Sequence, residues 1–453
     1  MNITSKPRKR IGVIGAGIAG LATAWLLSRR HEVVLLEAND YLGGHTNTVD
    51  VTIDGLTYPV DTGFLVFNHR TYPNLVALFK FLGVETAPSE MSFAVSLGDS
   101  ANPGLEWAGT SVGALFAQKR NLLRPAFWGM LRDILRFNRA ASAMARGAGG
   151  AGAQSVEHFL RQGAYGRLFR DAYLLPMVGA IWSCPTKTML SYPVATLARF
   201  CENHGLLQIT NRPQWHTVRG GGREYVKKLA AGIGVVRTGE AVLSVTASGD
   251  GVQVVTEKGG GRFDEVVMAC HSGQALRMLV QPLPQVRDVL AAVRYQPNRA
   301  VLHTDIALMP RARTAWAAWN YLAARAATDQ NPVGVSYWLN RLQPLPFGQP
   351  VILSLNPPRE PDPASVIAVF DYEHPVFDAA AIEAQYALPA LQGRDGLWFC
   401  GAWTGYGFHE DGLKSALAVA NAMGVRAPWQ SRAESAASRP QRNLTRAALG
   451  RAA

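Results

Sequence analysis

The chain begins its regular structure with a short apolar, β-branched run, Ile11-Gly12-Val13-Ile14, followed by a glycine-dense turn, Gly15-Ala16-Gly17-Ile18-Ala19-Gly20. From Leu21 to Arg30 apolar residues recur at helical spacing, and Glu32–Ala38 is a second apolar run that closes on Glu37. Continuous apolar runs around a helical pattern predict buried parallel strands joined by a crossover helix, the opening of an α/β fold. Farther on the period changes. Ala241–Val245 and Gly251–Thr256 alternate as antiparallel strands do, whereas Asp264–Ala269 and Leu397–Ala402 read as buried strands. Helices are predicted over Glu224–Ala231 and Leu413–Met423. In 119–146, Leu123, Phe127, Met130, Leu131, Ile134, Leu135 and Phe137 form a broad apolar stripe, with Pro125 suited to a first helical turn. The Ala/Gly-rich stretch Ala140–Ala153 predicts a flexible connector, and the chain from Pro428 a disordered tail.

Composition narrows the class. With 48% hydrophobic residues, 44 Gly and 26 Pro in 453, the chain is globular. Its +12 net charge is unevenly placed. Residues 1–10 carry Lys6, Arg8, Lys9 and Arg10 without an acid, and 432–453 carry five Arg against Glu434. In 119–146 seven basic residues face Asp133 alone, and the rest is close to neutral. That distribution disfavours a nucleic-acid-coating surface, so no nucleic-acid partner is expected. Basic residues around an apolar stripe suit a helix lying on an anionic membrane; a core-facing helix with solvated Arg side chains is the plainer alternative.

Cys184, Cys201, Cys270 and Cys400 include no close pair, which points to reduced thiols and a cytoplasmic protein. Lys6–Arg10 before the uncharged run Ile11–Ser28 imitates a signal peptide, but Gly12, Gly15, Gly17 and Gly20 within that run weaken a membrane helix. The run is therefore read as part of the fold. The histidines form no ligand spacing, and no metal site is expected.

The first chemistry lies in the glycine turn. Gly15 and Gly17 let backbone N–H groups approach a pyrophosphate, Gly20 lets the helix pack closely on the strand, and the helix start at Ile18-Ala19 faces the phosphates. Glu37 stands where an acid binds ribose hydroxyls, with Ala38 after it, and would repel a 2′-phosphate. Strand, turn, helix, second strand and acid in register indicate dinucleotide binding.

After Glu37 comes Gly43-Gly44-His45-Thr46, and here the chain resembles the flavin-containing amine oxidase and phytoene desaturase superfamily. The resemblance implies noncovalent FAD, with these four residues at its pyrophosphate; many members carry Arg where this chain has His45. Val60-Asp61-Thr62-Gly63-Phe64 resembles the segment near the flavin ring, and Val218–Arg223 the second glycine-rich segment. The backbone of Val242 would then hold the adenine. Gly401–Gly412 resembles the C-terminal FAD motif, with a helix start at Gly412-Leu413 aimed at the flavin and Asp411 beside it. His409 and Glu410 are the acid/base candidates; the alternative is that these residues contact the cofactor or cap the helix. His303 with Asp305, and His374 with Glu373, read as structural pairs, and Trp182, Trp316, Trp319, Trp338 and Trp403 as core aromatics or a substrate tunnel.

Tyr72-Pro73-Asn74, Met91-Ser92-Phe93, Ala180–Ser183, Asn203-His204-Gly205, Leu302–Asp305 and Tyr372–Pro375 extend the resemblance to one bacterial branch of oxidoreductases. That branch is associated with cyclopropane-fatty-acid-synthase-like methyltransferases. It implies acyl-chain modification, a lipid or other apolar substrate and a methyltransferase partner. Amine oxidases of the superfamily place a lysine near the flavin; the comparable strand, Asn298–Thr304, has none, and no cysteine matches a covalent-flavin position.

The expected architecture is α/β. A discontinuous Rossmann-like FAD-binding domain comprises 1–70, 215–275 and 395–427, and a mixed α+β substrate domain comprises 71–214 and 276–394. The expected function is FAD-dependent desaturation of an acyl chain, with oxidation of a hydrophobic amine, or a noncatalytic flavoprotein partner, as alternatives. A cytoplasmic location, peripheral on the inner face of the membrane through 119–146, is expected with it.

Overall fold

The computed structural model describes residues 7–98, 103–147, 154–182, 189–208, 212–323 and 334–430. Cys184, Ser183, the 148–153 part of the expected connector and the tail from 431 lie outside the described residues. The chain divides into two compact units, one of Met1–Gly44, Lys227–Leu290 and Ala384–Ala453, the other of His45–Val226 and Ala291–Glu383.

The first unit is built on a five-stranded parallel sheet in the order Val235–Arg237, Glu32–Leu36, Arg10–Ile14, Glu265–Met268, Leu397–Phe399. The apolar runs are buried throughout, as a sheet covered on both faces requires. The helix Ile18–Ser28 leaves the central strand through Gly15, whose φ of 101° is a conformation for glycine. A Cβ on Gly20 would lie 1.7 Å from the Gly15 carbonyl oxygen, so only glycine lets the helix sit this close. An antiparallel sheet of Val242–Ser248, Gly251–Thr256 and Gly261–Phe263 completes the unit.

The helix His409–Ala422 packs against Ile18–Ser28. It opens four residues before the expected start. The first full helical bond runs from Gly412 N to Phe408 O, 3.0 Å, and Asp411 Oδ2 accepts the Phe408 N–H at 3.1 Å. An acid that can reach back to the residue before the helix moves the start upstream. Gly412 is thus inside the helix, where a Cβ would come 2.9 Å from Ile18 Cγ2, and Leu413 is core. Pro428–Gln430 are also ordered, contrary to the expected tail: Trp429 stacks on Trp25 with ring centroids 6.1 Å apart.

The second unit centres on a seven-stranded mixed sheet, ordered Val366–Val376, Arg294–His303, Ile352–Leu355, Gly334–Trp338, Trp319–Ala323, Phe93–Gly98, Pro103–Ala108. Only the pair 319–323 and 93–98 runs parallel. A hairpin, Thr48–Ile53 with Leu56–Asp61, belongs here rather than with the nucleotide-type unit. The reason is its partners: Gln343 exchanges hydrogen bonds with the Asp61 backbone, and Asp61 Oδ1 accepts from Gly222 N at 2.8 Å.

The helix Pro125–Ala145 runs straight through the first half of the expected connector, 140–145. Its stripe turns inward only in part, with Leu123 and Leu135 exposed. Phe127, Met130 and Phe137 are buried, and Phe137 meets Phe159, Tyr165 and Phe169 at 5.6–6.3 Å. The core-facing alternative therefore describes Phe127, Met130 and Phe137 but not Leu123 and Leu135.

Candidate functional site

In the first unit the glycine turn and the second strand brace one another. Gly15 N donates to Leu36 O at 2.8 Å, and the Glu37 carboxylate accepts from Ala16 N at 2.7 Å and Asn39 N at 2.9 Å. Gly43 N donates to Ala16 O at 2.9 Å, and Gly44 lies so near that a Cβ on it would come 3.2 Å from Gly17 Cα. Ile18, Ala19 and Gly20 are buried in the first helical turn, and Ala38 is exposed beyond Glu37. A Cβ on Gly17, by contrast, would meet no atom within 4 Å. The backbone is bare there, at a helix start, as a pyrophosphate requires. Val242 begins its strand beside a register shift toward Ser244, a bulge that frees the local backbone from regular pairing.

At the end of the strand Leu397–Phe399, Gly401 brings Trp403 close: a Cβ on Gly401 would lie 2.7 Å from the indole nitrogen. Trp403 is buried, and its N–H finds no acceptor among the described residues. A buried donor without a partner is costly, and a ligand acceptor would satisfy it. Trp403 was legible in the sequence only as an aromatic; nothing in the pattern marked its N–H. Gln385 holds this loop by donating to Trp403 O and Gly405 O at 2.8 and 2.7 Å.

Burial holds the His409 imidazole well below its usual range, to about 3, so it is neutral at physiological pH. Glu410 is buried at the second helical position, and burial raises the Asp411 carboxyl to about 6. Cys270 and Cys400 are pushed up to about 12 by burial, which keeps both as inert thiols.

In the second unit Gly63 is pressed against the turn before it. A Cβ there would lie 2.0 Å from His45 O, which accepts the Phe64 N–H at 2.8 Å. The Thr46 and Tyr225 hydroxyls share a buried hydrogen bond. The His45 ring stacks on Tyr372 at 5.1 Å and meets His374 at 5.4 Å. The Tyr372 hydroxyl pairs with Thr62 Oγ1 at 2.8 Å and accepts from Asn47 Nδ2 at 3.1 Å; the His374 Nδ1 lies 3.1 Å from Asn298 Nδ2. This cluster of His45, Thr62, Asn298, Tyr372 and His374 was not predicted as a unit. The signal was there: Phe370, Tyr372 and His374 alternate on one strand, so they share a face.

His303 is separate from it. Burial lowers its pKa to about 4; Asp305 N donates to Nδ1 at 3.0 Å, and Nε2 bonds Ser354 Oγ at 2.8 Å, a structural role. Trp316 and Trp338 meet edge to face at 5.2 Å, and Trp182 packs on Phe200 at 4.4 Å.

A parallel sheet with a glycine-lined turn at its carboxyl edge and an acid at the end of the neighbouring strand defines a dinucleotide-binding α/β protein. Residues 18–303 match the family described as flavin containing amine oxidoreductase, and the chain belongs to that family. It is an FAD-dependent oxidoreductase. The Mycobacterium tuberculosis protein named flavin-containing monoamine oxidase AofH is 25% identical over 339 residues, 72% of this chain and 69% of that one. Among solved structures, cyclohexylamine oxidase from Brevibacterium oxydans superposes with a TM-score of 0.64 at 17% identity, covering 92% of this chain and all of the other. The CLA-producing fatty acid isomerase from P. acnes gives 0.63 at 13% identity, over 92% and 99%. These two likenesses establish the fold. The bare backbone at Gly17 and the unsatisfied Trp403 N–H both fit a bound FAD.

Proposed function

We propose that this enzyme dehydrogenates a long apolar substrate, an acyl chain of a lipid, using noncovalently held FAD, in the cytoplasm at the membrane's inner face. One observation carries the reading: among the described residues, the side chains that meet around Tyr372, those of His45, Thr62, Asn298 and His374, include no carboxylate and no lysine. The strand Arg294–His303 beside it offers only Arg294 and Arg299, each already paired, with Asp378 at 2.7 Å and Glu360 at 2.8 Å. A buried ammonium substrate calls for a carboxylate to pair its charge; an uncharged chain does not. A fatty acid isomerase of the same fold supports the substrate class.

FAD, when bound, supplies the acceptor for a hydride. In this reading the Gly15–Gly20 turn, with Gly43, Gly44, His45 and Thr46, holds the pyrophosphate. Glu37 and Ala38 would take the ribose and Val242 the adenine, while Gly401 and the helix start at His409–Asp411 would lie toward the ring, the role that the resemblance also gives Gly63 and Phe64. The hydrogen left as a proton goes to Glu410 in preference to His409, because an imidazole held near 3 accepts a proton poorly at neutral pH. An acceptor such as oxygen or a quinone would be needed to regenerate the oxidised cofactor.

Likeness to the named monoamine oxidase favours a second reading, oxidation of a hydrophobic amine. Anaerobic mixing of the FAD-loaded protein with defined phospholipids, free fatty acids and amines separates the two. Flavin bleaching by lipids supports the proposal, and bleaching by amines alone overturns it. No bleaching by any of them, with tight binding to a cyclopropane-fatty-acid-synthase-like methyltransferase, would instead make the chain that enzyme's flavoprotein partner.

A further inference from the structure

With Phe127, Met130 and Phe137 turned inward, the apolar surface that the segment leaves outside, Leu135 apart, gathers at the helix's N-terminal end. Leu123 is 88% exposed, Val112 76%, Trp128 51% and Leu122 47%. They belong to three consecutive short elements: the turn of helix Val112–Leu115, the 3₁₀ turn Lys119–Leu123 and the first helical turn after Pro125. The knuckle is rigid. Trp128 Nε1 donates to Leu122 O at 2.9 Å, the Trp128 ring packs on Phe116 at 5.5 Å, and Phe116 packs on buried Phe127 at 5.7 Å. Asn121 is buried beneath the turn and donates its N–H to Gln118 O at 2.9 Å.

Charge surrounds these tips with one sign. Lys119, Arg120, Arg124 and Arg132 are all exposed, and the sequence has no acid between Glu106 and Asp133. Arg124 is steadied by Asn121 Oδ1 at 3.4 Å, and Arg120 by the Gly104 carbonyl. Of the remaining arginines in the segment, Arg136 is bound to Asp133 at 2.7 Å and to Gly163 O at 2.7 Å, and is therefore committed to the fold.

We infer that the Leu122–Leu123 knuckle, with Val112 and Trp128, is a membrane-docking surface that inserts into an anionic lipid bilayer. Leu122, Leu123 and Val112 enter the boundary between headgroups and acyl chains, Trp128 sits at headgroup depth, and the four cations meet lipid phosphates. A nucleic acid would use the cations but leave the two leucines in water. A bilayer uses both. The inference does not rest on the proposed substrate, since an amine oxidase could dock in the same way.

The test is cosedimentation of the FAD-loaded full chain with vesicles of phosphatidylcholine alone and of phosphatidylcholine mixed with phosphatidylglycerol. Binding is expected to the anionic vesicles and to weaken as salt rises. Leu123→Asp and Arg124→Glu should each lower the partition coefficient about ten-fold or more, corresponding to roughly 1.4 kcal/mol. Both side chains are exposed, and an unchanged circular dichroism spectrum would verify folding. Arg139→Glu, exposed but beyond the knuckle, should bind nearly as the parent does. No binding by the parent, or undiminished binding by Leu123→Asp, overturns the inference, as does association with acidic proteins in the absence of any with vesicles. Because the readout is sedimentation, it can succeed or fail independently of flavin bleaching.

Discussion

Asp61 ends the Leu56–Asp61 strand with its carboxyl enclosed. Burial raises its pKa to about 6, against the opposing pull of the Thr48 hydroxyl, the Gly222 N–H and the Arg223 charge. The folded protein thus favours the protonated acid. Its contribution to stability is present in full below the ordinary value near 3.8 and is lost as pH climbs through about 6. Above that the carboxylate costs on the order of 3 kcal/mol. Asp61→Asn keeps an oxygen for Thr48 and Gly222 and removes the charge. Urea unfolding at pH 5 and pH 8 should show the parent losing stability relative to the variant at the higher pH. Parallel pH profiles would mean that Asp61 ionises freely in the fold.

At the scale of elements, the helix Pro125–Ala145 was legible as a helix and illegible in its orientation. Its apolar residues declare a stripe, but seven basic neighbours and one acid made every exposed setting plausible. Asp133 was the clue: a lone acid among arginines, it is buried, accepting Gly166 N at 2.8 Å and Arg136 at 2.7 Å, while Arg136 stacks 4.8 Å over Tyr165. Such pairing is invisible in sequence because Gly166 and Tyr165 arrive from a separate segment. The π-helical turn Arg170–Leu174 is equally hidden, since the Trp107 indole that donates to the Ala172 carbonyl at 3.2 Å is distant in sequence. Asp133→Ala should leave the Gly166 N–H without its acceptor and Arg136 with the Gly163 carbonyl alone, and cost about 1–3 kcal/mol. Arg132→Glu, on a largely exposed side chain, should change stability by about 0.5 kcal/mol or less. Denaturation midpoints of both variants test the assignment; equal effects would mean that the Asp133 network carries no weight.

Across the whole molecule, the parallel sheet and its glycine turn were readable because strand, turn, helix and acid occupy one stretch of about 30 residues. The cluster around Tyr372 was not, because Asn298 and Tyr372 meet only through antiparallel register between strands far apart in sequence. The first unit is likewise gathered from three separate segments, so a ligand gripping more than one of them must stabilise the entire fold. FAD at a hundred times its dissociation constant should add about 2.7 kcal/mol, seen as a rise in Tm with cofactor concentration. Two glycines of the same turn then divide folding from cofactor binding. Gly20→Ala would drive a methyl group into the Gly15 carbonyl and should lower Tm with or without FAD. Gly17 has extended backbone angles that alanine also adopts, and its Cβ would meet nothing, so Gly17→Ala should leave the cofactor-free stability within about 1 kcal/mol of the parent. Its methyl group would occupy the bare space assigned to the pyrophosphate, and the FAD-dependent rise should disappear. If Gly17→Ala answers to FAD as the parent does, the pyrophosphate does not lie on this turn.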